Sequence, residues 1–379
     1  MIYLDNSATT RPYSEVIDTF KQVSEKFYGN PSSIHRFGNE AERLLIKAKQ
    51  QASNLLEVSE NEIVFTSGGT EGNNTAIKGI AFAHQNRGKH IITSQIEHPS
   101  VLETCKALEN IGYIVTYLPV NSHGVVSVED VEAAITKETI LISIMHVNNE
   151  LGSIQPIEAI GSIAKKHPKL FFHVDHVQGF GKIPLKLQDS GIDMCTVSGH
   201  KINGLKGTGL LYIKKKTKLF PLLHGGNQEI GYRSGTENLA GIVSLVKAIR
   251  LNLEKQNSDC EKLIQLNKEL RKCLETIKGI VINTPTNGAH HILNFSIPGY
   301  KPEVIIHALG EKGIYISTKS ACSSKQPDKS TILAACGLSD EVSKSALRVS
   351  LSFENNLDDI DKFCTSLDTV IKQLSEVMG

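Results

Sequence analysis

Apolar residues in the first two thirds of the chain alternate between a helical and a strand-like spacing. Across residues 39–58 they fall at Ala41, Leu44, Leu45, Ala48, Ala52, Leu55 and Leu56, the stripe of an amphipathic helix. A short apolar run at 62–66 then reads as a strand, and 71–83 as a second helix. The same reading predicts strand 90–94, helix 99–110, strand 113–118, helix 128–135, strand 139–146, helix 156–166 and strand 170–175. Such alternation predicts a mostly parallel sheet covered by helices on both faces. Two more strands, 193–197 and 209–213, precede a proline-free helical stretch over 238–278.

Beyond that long helix the order changes to strands 280–283 and 292–297, helix 303–311, strand 314–317, helix 330–335, strand 347–351 and helix 357–377. This reads as a smaller α+β unit, with the long helix as connector. No internal repeat or low-complexity segment interrupts the pattern.

The length, 379 residues, suits one large domain plus a smaller one. Its 41 Lys+Arg against 40 Asp+Glu leave a net charge of +1, so no global field favours nucleic acid or an anionic membrane. With 40% hydrophobic and 21% charged residues, the composition is that of a folded globular protein. The amino terminus has no basic segment followed by an apolar run, and no stretch reaches the length of a membrane helix. The expected location is the cytoplasm. The seven cysteines are scattered and odd in number, which argues against a disulfide framework and a zinc knuckle. Six of them sit in helix or strand patterns and read as small packing residues.

In doubly wound sheets chemistry gathers beyond the carboxyl ends of strands. Those ends carry a Thr-Ser-Gly-Gly-Thr-Glu-Gly segment at 66–72, Glu97 and His98, the run from Asn148 to Glu150, the run from His173 to His176 with Gln178, and the run from Ser198 to Lys201. The glycine-rich segment ends a strand and opens a helix, so its N–H groups can cradle a phosphate or simply make a tight turn. It is neither a Walker A loop nor G-x-G-x-x-G. His173, Asp175 and His176 resemble a metal cluster, but on a strand His176 faces away from the other two. Asp175 lies 26 residues before Lys201. That pair suits an acid that keeps a heterocycle protonated and an amine that forms a Schiff base; separately they read as a cap and a surface lysine.

Cys322 is the one cysteine in a wholly polar, basic loop, flanked by Lys319 and Lys325, where a thiol ionises more readily. It reads either as a nucleophile or as an incidental exposed thiol. Arg348 can clamp a carboxylate or close a structural salt bridge. His98, followed by Pro99, can start a helix or exchange protons over a planar ring.

Together these segments resemble the cysteine desulfurases of the class V aminotransferases, pyridoxal-phosphate enzymes that supply sulfur for iron–sulfur clusters and thiolated tRNA. The resemblance runs over essentially the whole chain: Tyr3-Leu-Asp-Asn-Ser-Ala-Thr-Thr10, Gly29-Asn-Pro-Ser-Ser33, the 65–71 segment, Glu97 and His98, Asn148 to Glu150, His173 to Asp175, Ser198 to Lys201, Arg233-Ser-Gly-Thr-Glu-Asn238, Ser320-Ala-Cys-Ser323 and Arg348. It implies the fold-type I architecture: a large domain over 13–255 with a mostly parallel seven-stranded sheet, and a small α+β domain from 1–12 and 256–379 that carries the catalytic cysteine.

By that resemblance Lys201 would hold pyridoxal 5′-phosphate and move the substrate α-proton, and Asp175 would bind the pyridinium nitrogen. Gln178 would contact the ring oxygen and His98 would stack on the ring. Gly69, Thr70, Ser198 and His200 would hold the phosphate, joined by Thr236 of a second subunit, which implies a homodimer with shared sites. Asn149, also expected to touch the cofactor, and Arg348 would orient the substrate carboxylate. Cys322 would take the sulfur of L-cysteine as a persulfide, leaving L-alanine, and hand it to an acceptor protein, an iron–sulfur scaffold or a tRNA-thiolating enzyme. The implied partners include neither nucleic acid bound directly nor a membrane. The 26 residues from Cys322 to Arg348 match the long-loop group of the family. This chain departs from the usual pattern at His176 (commonly Ala), Leu205 (commonly Pro), Lys319 and Ser352 (both commonly Gly), which points to a specialised paralogue. A selenocysteine lyase or another class V aminotransferase is the alternative activity, and a sulfur-relay scaffold with a decayed site the alternative class.

Overall fold

The computed structural model of the protein describes residues 1–318 and 329–378. After β1 (Ile2–Tyr3) come two helices, α1 (Ser14–Lys26) and α2 (Arg36–Leu56). The alternating region follows: β2 (Ile63–Thr66), α3 (Gly69–Ala83), β3 (His90–Ser94), α4 (Pro99–Glu109), β4 (Ile114–Leu118), α5 (Val128–Ala134), β5 (Thr139–Met145), α6 (Ile157–Ala164) and β6 (Phe171–Asp175). Then come β7 (Met194–Ser198), β8 (Gly209–Ile213) and the long α7 (Leu239–Thr276). The chain ends with β9 (Val281–Ile282), β10 (Ile292–Ser296), α8 (Pro302–Glu311), β11 (Ile314–Tyr315), α9 (Thr331–Ala335), α10 (Asp340–Lys344), β12 (Ala346–Ser350) and α11 (Leu357–Met378).

The central sheet has seven strands in the order β2-β8-β7-β6-β5-β3-β4. The pairs β4–β3, β3–β5, β5–β6 and β6–β7 are parallel, and β8 runs antiparallel to both its neighbours. Strand β5 is buried at every residue, as expected for a strand covered on both faces. This is the mostly parallel seven-stranded sheet expected from the sequence. A smaller antiparallel sheet, β12-β10-β9, and the parallel pair β1-β11 complete the fold.

Helix α7 feeds two separate apolar clusters. Its first half gives Ile242, Leu245, Val246 and Ile249 to the core on the large sheet; its second half gives Leu263, Leu266, Leu270 and Leu274 to a core with Phe295, Leu347 and Phe363. Leu4 joins that second core, and β1 pairs with β11, so the amino-terminal residues pack with the carboxy-terminal unit.

The predicted elements recur within a few residues, with three omissions, the first being the two-residue strand β1. Helix α1 buries only Val16 and Val23, too thin an apolar stripe to read in sequence, and packs on α7. Helix α10 has five residues and a Ser339 cap. The strand expected at 280–283 is shorter, because the N–H groups of Asn283 and Thr284 both reach the Asn294 carbonyl and end the ladder.

The expectation that every cysteine outside the loop is a packing residue is corrected. Cys273 on α7 and Cys364 on α11 form a disulfide, with Cα atoms 6.2 Å apart and 91 residues between them in sequence. Only the packing of α11 on α7 makes them neighbours. Cys105, Cys195 and Cys336 are buried as expected, whereas Cys260 is exposed. Among the described residues no helix is long and apolar enough to cross a membrane.

Candidate active site

The carboxyl ends of β5, β6 and β7 and the start of α3 enclose a cavity of about 180 Å³. Gly69, Thr70, His98, Asn149, Asp175, Gln178, Ser198, His200, Lys201 and Arg348, which are far apart in sequence, all line it. A larger groove of about 370 Å³, under His176, Phe180 and Cys195, contains none of these residues.

Asp175 closes β6 and is 5% exposed. Its Oδ2 accepts a hydrogen bond from Asn73 Nδ2 at 2.7 Å, and its Oδ1 accepts from the Val177 N–H at 3.0 Å. Asn73 Nδ2 also donates to Ser100 Oγ at 2.9 Å. Ser100 then contacts His98 Nδ1 twice, through its N–H at 3.1 Å and its hydroxyl at 2.8 Å. An N–H can only donate, so Nδ1 accepts and the ring proton sits on Nε2. Burial, helped by the Lys201 ammonium and opposed by Asp175, holds the His98 imidazole below its usual pKa, which agrees with a neutral ring. Asn73 and Ser100 escaped the sequence reading. Asn73 lies four residues after Gly69 and therefore on the same face of α3, which was the one available signal.

Lys201 ends the 3-10 turn that follows β7. Its Nζ donates to the carbonyls of Ser7 at 2.5 Å and Ala8 at 2.7 Å. Gln178 Nε2 donates to the same Ser7 carbonyl at 3.0 Å. The amino-terminal segment thus forms one wall of the cavity, a role that sequence spacing could not assign. At the opposite end, Gly69 and Thr70 open α3, where the first-turn N–H groups have no partner within the helix. Ser198 Oγ and Asn149 Oδ1 are buried with no partner among the described residues. His200 Nδ1 lies 3.2 Å from Thr9 Oγ1, and burial, with Lys201, Lys206 and His98 adding to it, pushes its pKa down to about 4.

Arg348 is 1% exposed. Its Nη1 donates to the Asn149 carbonyl at 2.7 Å, and its Nη2 to Asp5 Oδ1 at 2.8 Å and Ser317 Oγ at 2.7 Å. Its Nε is buried without a partner among the described residues. The salt bridge foreseen as one alternative for this arginine is therefore present, and the residue also lines the cavity. Glu97 lies behind His98: Ser94 Oγ and the Met145 N–H donate to its Oε1 at 2.7 and 3.0 Å, and burial pushes its carboxyl up to about 8.

Two expected residues do not join this cavity. Thr236 lines a separate groove with Ser67, Arg233 and Asn238. Cys322 lies outside the described residues, as do Lys319 and Lys325. On either side of that segment, Ser317 is held by Arg348, and Ser330 donates its hydroxyl to Glu150. The metal-like run also resolves: His173 places Nδ1 2.9 Å from Ser143 Oγ and Nε2 2.9 Å from Thr196 Oγ1, inside the sheet. His176 Nδ1 instead meets His146 Nδ1 at 2.8 Å.

Known proteins show the same arrangement of chain. The family model for aminotransferase class-V matches residues 2–363. A NifS/IcsS protein homolog of Lactobacillus delbrueckii subsp. bulgaricus is 45% identical over 100% of this chain and 99% of its own. The cysteine desulfurase IscS of Dictyoglomus turgidum is 41% identical over 99% of this chain and 96% of its own. A solved NifS-like protein superposes with a TM-score of 0.93 at 37% identity, covering 98% of this chain and 99% of that one. With a match across nearly its whole length, and a lysine and a buried aspartate brought into one cavity, the chain belongs to the class-V aminotransferase family.

Proposed function

We propose that this protein is a pyridoxal-phosphate-dependent cysteine desulfurase, a sulfurtransferase that converts L-cysteine to L-alanine and passes the sulfur to an acceptor. The carrying observation is the convergence of Lys201, Asp175 and His98 on one cavity whose far end is an open helix start. The relatives named as cysteine desulfurases and as NifS homologues support the choice of reaction.

The residues fit pyridoxal 5′-phosphate. Asp175 offers a carboxylate to a pyridinium N–H. The α3 start, with the partnerless Ser198 hydroxyl and the adjacent His200, offers donors to a phosphate. Lys201 offers the amine that captures the aldehyde. When bound, the cofactor supplies an electron sink for the carbanion at the substrate Cα.

This chain's residues do the rest. Lys201 Nζ moves the α-proton, and Asp175 holds the ring nitrogen cationic. His98, with its proton on Nε2, would face the ring and exchange protons with the substrate. Gln178 would donate to the ring oxygen. Arg348 and Asn149 orient the substrate carboxylate; the partnerless Arg348 Nε–H is suited to donate there. The Cys322 thiolate attacks the substrate sulfur, so that a new S–S bond forms as the C–S bond breaks, leaving alanine and a persulfide. Thr236 completes the phosphate site of a second copy, which makes the enzyme a homodimer with shared sites. The domains divide as 13–255 and, for the small one, 1–12 with 256–379. The acceptor is an iron–sulfur scaffold or a tRNA-thiolating protein.

The test is to incubate the purified protein with L-cysteine under reducing conditions and measure alanine and sulfide. Both are expected in equal amounts, with Cys322→Ser retaining the yellow colour but forming no persulfide. A coloured wild type that releases no sulfide would overturn the reading. A Cys322→Ala protein still active on selenocysteine, beside a wild type inert on cysteine, would replace it with a selenocysteine lyase.

A further inference from the structure

The turn that carries Lys201 is held from three directions. The Gly199 carbonyl accepts from within the turn, from the N–H groups of Ile202 at 3.0 Å and Gly204 at 2.9 Å. The next three carbonyls each reach a different part of the chain. That of His200 accepts from Thr10, through its N–H at 2.8 Å and its hydroxyl at 3.0 Å. That of Lys201 itself accepts from Lys182 Nζ at 3.1 Å, and that of Ile202 from Asn252 Nδ2 of α7 at 2.5 Å.

Lys182 is the unexpected member of this set. It follows Gly181, whose φ of 68° lies in the left-handed region and whose missing side chain leaves room for Asn252: a Cβ there would sit 3.0 Å from the Asn252 Cβ. The residue is half-buried, and burial lowers the pKa of its ammonium to about 8. Among the described residues it makes no ion pair. The titratable groups that feel its charge are His176 after β6 and His291 ahead of β10, with His146 hydrogen-bonded to His176 behind, while Lys201 offers it a backbone carbonyl. Burial holds all three of those imidazoles neutral at physiological pH, so no anion balances the amine. An amine that only filled space here would be replaced to advantage by a Met or Leu of similar volume. What the ammonium adds is a charge-assisted hydrogen bond to the backbone of one residue, the lysine of the cavity.

We propose that Lys182 is a positioning residue for Lys201, fixing the Lys201 carbonyl so that its Nζ projects into the cavity ready to capture an aldehyde. The inference rests on the proposed role of Lys201 and extends it to a residue outside the cavity. Asn252 fixes the following carbonyl in the same way, as the neutral half of the same support.

The experiment uses protein resolved from its cofactor and mixed with pyridoxal phosphate. Capture is followed by absorbance, then trapped with borohydride and located by peptide mapping. Lys182→Met is expected to label Lys201 about ten-fold more slowly than the wild type, at an unchanged thermal midpoint, and Lys182→Arg to stay within about two-fold of the wild-type rate. The Lys182 cation is lost above its depressed pKa, whereas an arginine keeps its charge. The ratio of the wild-type rate to that of Lys182→Arg therefore falls as pH rises through about 8. If Lys182→Met does not fold, Lys182→Gln carries the same comparison with the charge removed and a donor kept. Wild-type rates in Lys182→Met or Lys182→Gln, or a ratio that does not change with pH, would overturn the inference alone. A wild type that is not labelled at Lys201 would overturn the proposed function together with it.

Discussion

Glu97 shows how one buried group can set a pH dependence. Its Oε1 takes two hydrogen bonds while Oε2 has no partner among the described residues, and burial raises its pKa from 4.5 to about 8. Between those values the native state keeps a proton that the unfolded chain has lost, so this group makes stability fall as pH rises from 4.5 towards 8. The ceiling is about 1.4 kcal/mol per pH unit. Glu97→Gln keeps the shape and stays neutral. In urea unfolding it is expected to match the wild type near pH 4.5 and to become progressively more stable than it by pH 8, and parallel curves would refute the assignment. The sequence showed Glu97 as a residue beside His98. It could not show that the acid is dry, because burial is a property of what packs around it.

At the scale of elements, the disulfide between α7 and α11 staples the second core. The 91-residue span between Cys273 and Cys364 is long, so the cross-link removes substantial freedom from the unfolded chain. Cys273→Ser is expected to lower the unfolding free energy by about 2–4 kcal/mol in denaturant titrations without reductant, and reductant is expected to bring the wild type down to the same level. An unchanged midpoint in both would exclude a stabilising cross-link. Strands β3 and β8 were legible to the residue, because each centres on adjacent apolar β-formers, Ile91 with Ile92 and Leu210 to Ile213. Helix α1 was not, since its two buried valines leave it to be stabilised by α7. The disulfide was equally invisible, because helix docking brings the two cysteines together and sequence spacing does not.

Across the whole molecule, buried histidines decide the acid limit. Burial pushes His146 down to about 4 and His173 to about 3, and His176 and His291 fall well below 6.5. All are neutral in the folded protein, while the unfolded chain protonates each near 6.5. Their contribution is therefore complete above that pH and is lost as pH falls from 6.5 towards 4. Each removes up to about 1.4 kcal/mol per pH unit, and four of them outweigh the opposite trend of Glu97 below 6.5. The expected result is a stability maximum near neutral pH and a steep loss between pH 6.5 and 5, measured by urea unfolding across that range. A flat profile there would mean that these imidazoles are hydrated.

The sequence by itself determined the alternating layers, the seven strands of the sheet, the glycine-rich helix start and part of the cavity lining, including Asp175, Lys201 and His98. Each of these is written in local terms: hydrophobic period, turn chemistry, or a residue type at a strand end. The tertiary structure alone decided that Ser7 and Ala8 face Lys201, that Asn73 and Ser100 link Asp175 to His98, that Lys182 supports the Lys201 backbone, and that two distant cysteines pair. These are contacts between elements far apart in the chain. Their partners are selected by how helices and loops dock, which no local pattern encodes.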